Sequence, residues 1–223
     1  MSTGALIGAA AVVVVAVLLL IRLAARSVSV EQVHAHLLRT ARGTTAAALE
    51  TGATGRLAGV VTADALLKAP LTGRACVGYV ARVEEWSGGR RAHWIERIHE
   101  VRGVPFTIDD GTGRALINPA ASTMLLQMDA TTRSGRFDDA TPVEEAFLAR
   151  HEVRSTGWFL NRTLRYTEGV IEPGERVAVI GRGEREADVD GPHGALATRV
   201  RLRGTADEPV LVTDRADLIA GGT

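Results

Sequence analysis

A single cysteine, Cys76, stands in the whole sequence, which excludes an intramolecular disulfide and any multi-cysteine zinc site built within the chain. Aromatic side chains are scarce, with three Trp, two Tyr and four Phe in 223 residues. Charge of either sign is not in excess: Lys and Arg total 26, as do Asp and Glu. The balance is uneven along the chain. Residues 1 to 42 carry Arg22, Arg26, Arg39 and Arg42 against Glu31, while the remainder carries 22 basic and 25 acidic side chains. A slightly acidic remainder with so few rings lacks the cationic surface and stacking platforms of a general nucleic-acid binder, so no nucleic-acid partner is expected.

What the sequence has instead is an oily start. Met1 to Ile21 contains neither a charged residue nor a proline. As a helix rising about 1.5 Å per residue, Gly4 to Ile21 would extend roughly 27 Å, close to the ~30 Å hydrocarbon thickness of a bilayer. Arg22 and Arg26 stop the run, and their long stems carry charge out to the headgroups. Residues 1–26 therefore read as a transmembrane anchor with a basic stop. A secretory signal would need a basic leading segment and a small-x-small cleavage site; MSTGA and Leu23 to Arg26 supply neither. A buried core helix would need a polar face for solvent, which this run lacks. Basic residues follow the span and none precede it, so the N-terminus is expected outside and the remaining domain in the cytoplasm.

Residues 27–49 read as a juxtamembrane helix and linker. Ser29 supplies a cap, Gln32 the capping-box position, and Val30, Val33, Leu37, Leu38 and Ala41 one apolar side. His34 and His36, two apart, fall on different faces and do not form a metal pair. From Gly52 the period changes. In ACVGYVARVEEW, Val77, Tyr79, Ala81 and Val83 share one face, and RAHWIERIHEV returns beyond SGGR as the second strand of a long hairpin. VPFTIDDGTGRALINPA is a further hairpin turning at Asp110-Gly111. MLLQM reads as a short strand, DATTRSGRFDDA as a polar loop. A helix is predicted from Thr141, with Pro142 at its first position and Glu144 closing the capping box, to about Arg154. Strand, EPGE turn and strand follow, then ATRVRLRG and PVLVTD, and residues 214–223 form a tail. Eight to ten short strands around one helix predict a mainly β (α+β) domain over 50–213, a small OB-like barrel or sandwich with one inserted helix.

Three blocks, KAPLTGRACVGYVARVEEW, PFTIDDGTGRALINP and LRYTEGVIEPGERVAVIGRGE, together resemble the GIDE (beside-a-membrane) domain family. That domain occurs in mitochondrial membrane-anchored RING ubiquitin ligases and in prokaryotic membrane proteins. The first block carries the resemblance at Pro70, Leu71, Gly73, Cys76, Tyr79, Glu84 and Glu85. The second carries it at Pro105, Phe106, Asp110 and Gly113, and the third at Arg165, Glu168, Gly174 and Gly181. It covers roughly residues 50 to 213. The ligases of this kind have a second span and a RING finger after the domain, whereas here DRADLIAGGT closes the sequence. A RING binds two zinc ions through eight Cys and His ligands, and one cysteine with six histidines does not build it.

Other motifs carry little chemistry. VAVIGRGERE has the glycines of a dinucleotide turn without the third glycine or a following helix, and reads as a strand ending in a glycine turn. DDGTG lacks the alternating oxygens of a calcium loop; it is similar to a hairpin tip of OB folds. Glu84 and Glu85 are neighbours on a strand and point to opposite faces, as do Arg165 and Glu168 unless a bulge intervenes. Cys76 reads as a small buried hydrophobe. No nucleophile-base pair, metal site or cofactor site is expected. The sequence therefore points to a membrane-anchored binding or scaffold module. Its expected partners are the bilayer through residues 4–21 and a membrane protein or a second copy. An inherited ligase role and an OB-type nucleic-acid binder are the competing readings.

Overall fold

The computed structural model describes residues 30–135, 137–156, 162–188, 198–205 and 208–221. The expected anchor and its following cap, Ser29, lie outside them. The chain divides into two units, residues 1–37 and 38–223. Helix α1 spans Val30–Thr40, and in the first unit its Val30, Val33 and Leu37 side chains are exposed. Among the described residues no helix is long and apolar enough to cross a membrane.

The second unit is mainly β. Its strands are β1 (Thr54–Thr62), β2 (Leu67–Lys68), β3 (Ala75–Cys76), β4 (Gly78–Trp86), β5 (Trp94–Gly103), β6 (Phe106–Asp109) and β7 (Arg114–Ile117). They continue with β8 (Ser122–Leu125), β9 (Ala130–Ser134), β10 (Leu164–Ile171), β11 (Arg176–Ala187), β12 (Thr198–Arg203) and β13 (Val210–Thr213). Helices α2 (Pro142–Arg150) and α3 (Ala216–Ile219) and a 3-10 turn at Pro119–Ala121 complete it. Thirteen strands among the described residues exceed the eight to ten expected, because β2 and β3 are only two residues long and β9 arises where a polar loop was expected. Thr131, Thr132 and Arg133 form a strand because β10 offers them an edge: Arg165 pairs with Arg133 and Tyr166 with Thr132.

Two sheets hold eleven of these strands, and β2 and β3 pair antiparallel as a short ribbon of their own. In the larger, pairing runs from β1 through β6, β7, β12 and β11, and β11 pairs again with β1. β7 and β12 are parallel, and the other four pairings of this cycle are antiparallel. β13 and β8 extend the sheet from β11. Its inward side chains, among them Leu57, Val61, Phe106, Ile108, Val179 and Leu202, form one apolar cluster. The glycine turn expected after Ile180 is absent, since β11 runs straight on to Ala187. Gly181 and Gly183 serve close approach instead: a Cβ at Gly183 would lie 2.8 Å from Leu49 Cγ, and one at Gly181 3.2 Å from Leu202 Cβ.

The smaller sheet, in the order β5-β4-β10-β9, is antiparallel throughout. Helix α2 contributes Phe147 and Leu148 to a second cluster with Tyr79, Ala81, Val83 and Tyr166 of this sheet. Its start is the capping box expected from the sequence, Thr141 Oγ1 accepting from the Glu144 N–H and Glu144 Oε2 accepting from the Thr141 N–H. Its end comes at Arg150, earlier than expected. Glu152 adopts φ of 58°, and the Val153 N–H turns back to the Leu148 carbonyl, a left-handed C-terminal stop.

The compact unit takes in residues 38–49 and 214–221 as well as the strands. Buried Arg56 donates from Nε to the Leu38 carbonyl at 2.9 Å, and from one terminal nitrogen to the Leu218 and Ile219 carbonyls at 2.8 and 2.6 Å. These are last-turn carbonyls of α1 and α3, the orphan acceptors where helix dipoles favour a cation. Burial lowers the pKa of Arg56 from its ordinary value.

Candidate functional site

On the α2 side of the smaller sheet, alternation and one bulge bring two carboxylates inside. Strict alternation along β5 would not put Ile95, Ile98 and Glu100 on one face. The register shifts between Val83 and Glu84, so that Ile98 opposes Val83 while Glu96 opposes Glu84 and Arg97 becomes the extra residue. Glu100 is thereby turned inward, 7% exposed.

Every direction around that carboxylate is taken. Oε1 accepts from the Tyr79 hydroxyl at 2.5 Å and lies 3.0 Å from Arg102 Nε. Oε2 lies 2.5 Å from His151 Nε2 and accepts from Arg150 at 3.0 Å. Burial pushes the Glu100 carboxyl up, but the hydrogen bonds from Tyr79 and His151 and the charges of Arg150 and Arg102 outweigh it, and the pKa sits below the ordinary value. The Tyr79 hydroxyl moves the other way, raised by burial and then by its bond to Glu100. Arg150 and His151 close α2, where a helix end favours positive charge. The group thus fastens the helix end to the sheet.

Glu168, on β10, is fully buried and holds a different element. The Leu71 N–H donates to Oε1 at 2.7 Å and the Thr72 N–H to Oε2 at 2.9 Å, with the Thr72 hydroxyl also donating to Oε2. Pro70 and Gly73, the latter at φ of 74°, shape this turn, closed by the Gly73 N–H on the Ala69 carbonyl. Arg74 leaves it to form a bidentate pair with Asp129, 2.7 Å on both arms. A buried carboxylate met by two backbone N–H groups satisfies its charge without a cation.

The other resemblance positions are spread over both sheets, their cores and their turns. Glu84 pairs with Arg165 at 2.7 Å on the opposite face of the sheet, across the β4–β10 register. Glu85 takes Arg97 at 2.8 Å and Arg162 at 3.4 Å. Cys76 is buried as a free thiol, pushed up to about 11 by burial and by the charges of Glu168 and Glu172. Phe106 lies in the larger core beside Pro105. Asp110 binds the Thr112 and Gly113 N–H groups through Oδ1 and the Ala46 N–H through Oδ2 at 2.7 Å, tying the hairpin tip to the segment before β1. Gly174 turns the β10–β11 connection at φ of 89°.

Chemically, these groups bind their own chain. Both oxygens of Glu100 and of Glu168 are engaged, and Cys76 and Tyr79 hold their protons more tightly than usual. None of the four is prepared as base or nucleophile. The surface above them is shallow and partly apolar. A depression of about 330 Å³ is lined by Pro70, Pro142, Val143, Ala146, Phe147 and Arg150. Another of about 360 Å³ is lined by Leu67, Val101, Arg102, Gly103, Pro119, Ala120 and Ser122. The two arginines that hold Glu100 each stand in one of these walls.

Glu100 with Arg102, Arg150 and His151 escaped sequence reasoning, because 50 residues separate Glu100 from Arg150 and alternation does not announce a bulge. The one local signal was the three-residue spacing of Ile95 and Ile98 within a strand.

A mainly β unit with a paired cycle of strands and a helix-backed sheet is the class the geometry defines. The GIDE family, described as E3 Ubiquitin ligase, matches residues 79–191, from the second residue of β4 past the end of β11 and just over half of the chain. The chain belongs to that family. No curated protein matches it, and no solved structure does.

Proposed function

We propose that this chain is a membrane-anchored GIDE protein that works by binding, with its strand-built domain held at the cytoplasmic face. The observation that carries the reading is the state of the buried carboxylates: their oxygens are consumed by Tyr79, Arg102, Arg150 and His151, or by the turn at Leu71 and Thr72. What faces outward beside them is a pair of shallow, arginine-walled apolar depressions. Surfaces of that kind suit a protein partner more than a reacting small molecule. Tethering to a bilayer through residues 4–21 raises the effective concentration of other membrane proteins, so weak contacts suffice.

The cycle β1-β6-β7-β12-β11, with its single parallel pairing, supports an OB-like barrel as the finer description of the larger sheet. The description printed for the family suggests a ligase role, but RING chemistry needs zinc held by eight Cys and His ligands, and these 223 residues contain one cysteine.

Crosslinking in native membranes tests the proposal. Discrete crosslinked partners, a membrane protein or a second copy, are expected, and Arg102→Ala or Arg150→Ala should weaken them. Monomer alone under crosslinkers of varied length, or zinc-dependent ubiquitin discharge from a charged conjugating enzyme, would overturn it. Release of the intact protein by alkaline carbonate would remove the anchor from the reading.

A further inference from the structure

The β4–β5 hairpin ends in Trp86-Ser-Gly-Gly-Arg90-Arg91-Ala-His93-Trp94, nine residues without a carboxylate. Trp86 and Trp94 face each other across the strands with ring centroids 5.2 Å apart, and Trp86 is 41% exposed. Gly88 and Gly89 turn the chain at positive φ with open space around them. Arg90 and Arg91 are exposed, and among the described residues no carboxylate pairs with either. At the same end, the turn after β9 carries Phe137, 93% exposed, followed by Asp138 and Asp139. Backbone pairing puts it there: Ser134 opposes Leu164, which opposes Glu85 next to Trp86.

We infer that this end of the hairpin docks on the surface of an anionic bilayer. The inference deepens the membrane-anchored reading and rests on it for the nearness of the bilayer. Tryptophan and arginine are the side chains that settle at the headgroup level, the indole partly in acyl chain and the guanidinium on phosphate. An exposed ring at Phe137 adds a second apolar point to the same end. Single-stranded nucleic acid fits the tip less well, since it needs open ring faces to stack on. The guanidinium of Arg165 already lies 4.4 Å from the Trp94 centroid, held there by Glu84.

The test uses the full chain carrying Trp158→Phe, so that emission reports Trp86 and Trp94. It is reconstituted in phosphatidylcholine vesicles with or without phosphatidylglycerol, and quenched either by lipids brominated near the headgroup or by aqueous iodide. Lipid quenching is expected to rise, and iodide quenching to fall, when phosphatidylglycerol is present. Adding Arg90→Gln and Arg91→Gln should shift the balance of docked to undocked tip by roughly thirtyfold, from about 1 kcal/mol per basic residue at such a surface. Added salt should act in the same direction.

Quenching by iodide and not by lipid in both vesicle types overturns the inference. So does salt-sensitive retention of single-stranded DNA by the tip without lipid quenching. Alkaline carbonate extraction of the same vesicles separates this outcome from failure of the anchor. A protein that resists carbonate but shows no lipid quenching keeps the anchor and loses the dock. One released by carbonate loses the anchor, and flotation with phosphatidylglycerol vesicles that depends on Arg90 and Arg91 would then uphold the dock alone.

Discussion

Around the cycle of β1, β6, β7, β12 and β11 the interior is apolar and close-fitting, whereas the sheet that carries α2 keeps two carboxylates inside it. In the first region a hypothetical Cβ at Gly59 would come within 2.6 Å of the Asp109 carbonyl oxygen, and the side chains that meet are Leu, Ile, Val and Phe with Ala115 and Met124. In the second, Glu168 and Glu100 each hold a separate piece of chain, a turn in one case and a helix end in the other. The larger sheet satisfies its backbone by pairing, so its centre needs only packing. Elements that pair with neither sheet are secured by buried charge: in the larger sheet by Arg56, on the face of β1 away from Leu57, and in the smaller by carboxylates turned into the core itself, each supplying several directed bonds at once. Regions of the second kind are expected to tolerate substitution only where the bonds are kept.

Glu168→Ala breaks the comparison most sharply. It strands the Leu71 and Thr72 N–H groups, and a loss of about 3 to 5 kcal/mol is expected in urea unfolding, by analogy with removing one partner of a buried charged contact. Glu168→Gln, which retains acceptors, should lose less. Gly59→Ala tests the close-fitting region, where overpacking against backbone should cost about 1 to 3 kcal/mol in the same measurement. If both substitutions in the smaller sheet prove neutral while Gly59→Ala unfolds the protein, the contrast drawn between the cores fails.

Acid sharpens it further. Folding holds Glu100 below its ordinary pKa of 4.5, so its stabilising contribution is complete above that pH and is lost as pH falls through the lowered folded value. Thermal melts of the wild type below pH 4.5 should therefore fall more steeply than those of Glu100→Gln. The smallest expected effect is Thr141→Ala, which removes the α2 cap at a cost of about 1 kcal/mol. Its consequence should stay local, read as faster amide exchange in the first turn of α2.

Much of the second unit could be read from local patterns. The β4–β5 and β6–β7 hairpins, the Asp110-Gly111 turn and the Thr141 capping box each depend on residues close in sequence, whose alternation or turn chemistry is complete in itself. The readings that failed depended on a distant neighbour. Residues 130–134 became a strand because β10 lay beside them, and Gly181 and Gly183 stayed in β11 because β1 and β12 pair with it there, Gly55 opposite Gly181 and Leu202 opposite Gly183. Part of the resemblance motif did not explain itself locally. Pro70, Leu71 and Gly73 acquire a reason once Glu168 is seen beneath them, 97 residues from Leu71 in the chain.

The amino-acid order by itself determined the oily start with its arginine stop, the strand-rich composition, the scarcity of cysteine and the family resemblance. These properties follow from composition and short-range spacing, which no folding is needed to express. Tertiary structure alone decided that β11 returns to β1, that one extra residue at Arg97 turns Glu100 inward, and that Arg56 gathers the ends of α1 and α3. Each of those outcomes joins groups far apart along the chain, and only the packed arrangement sets which donor meets which acceptor.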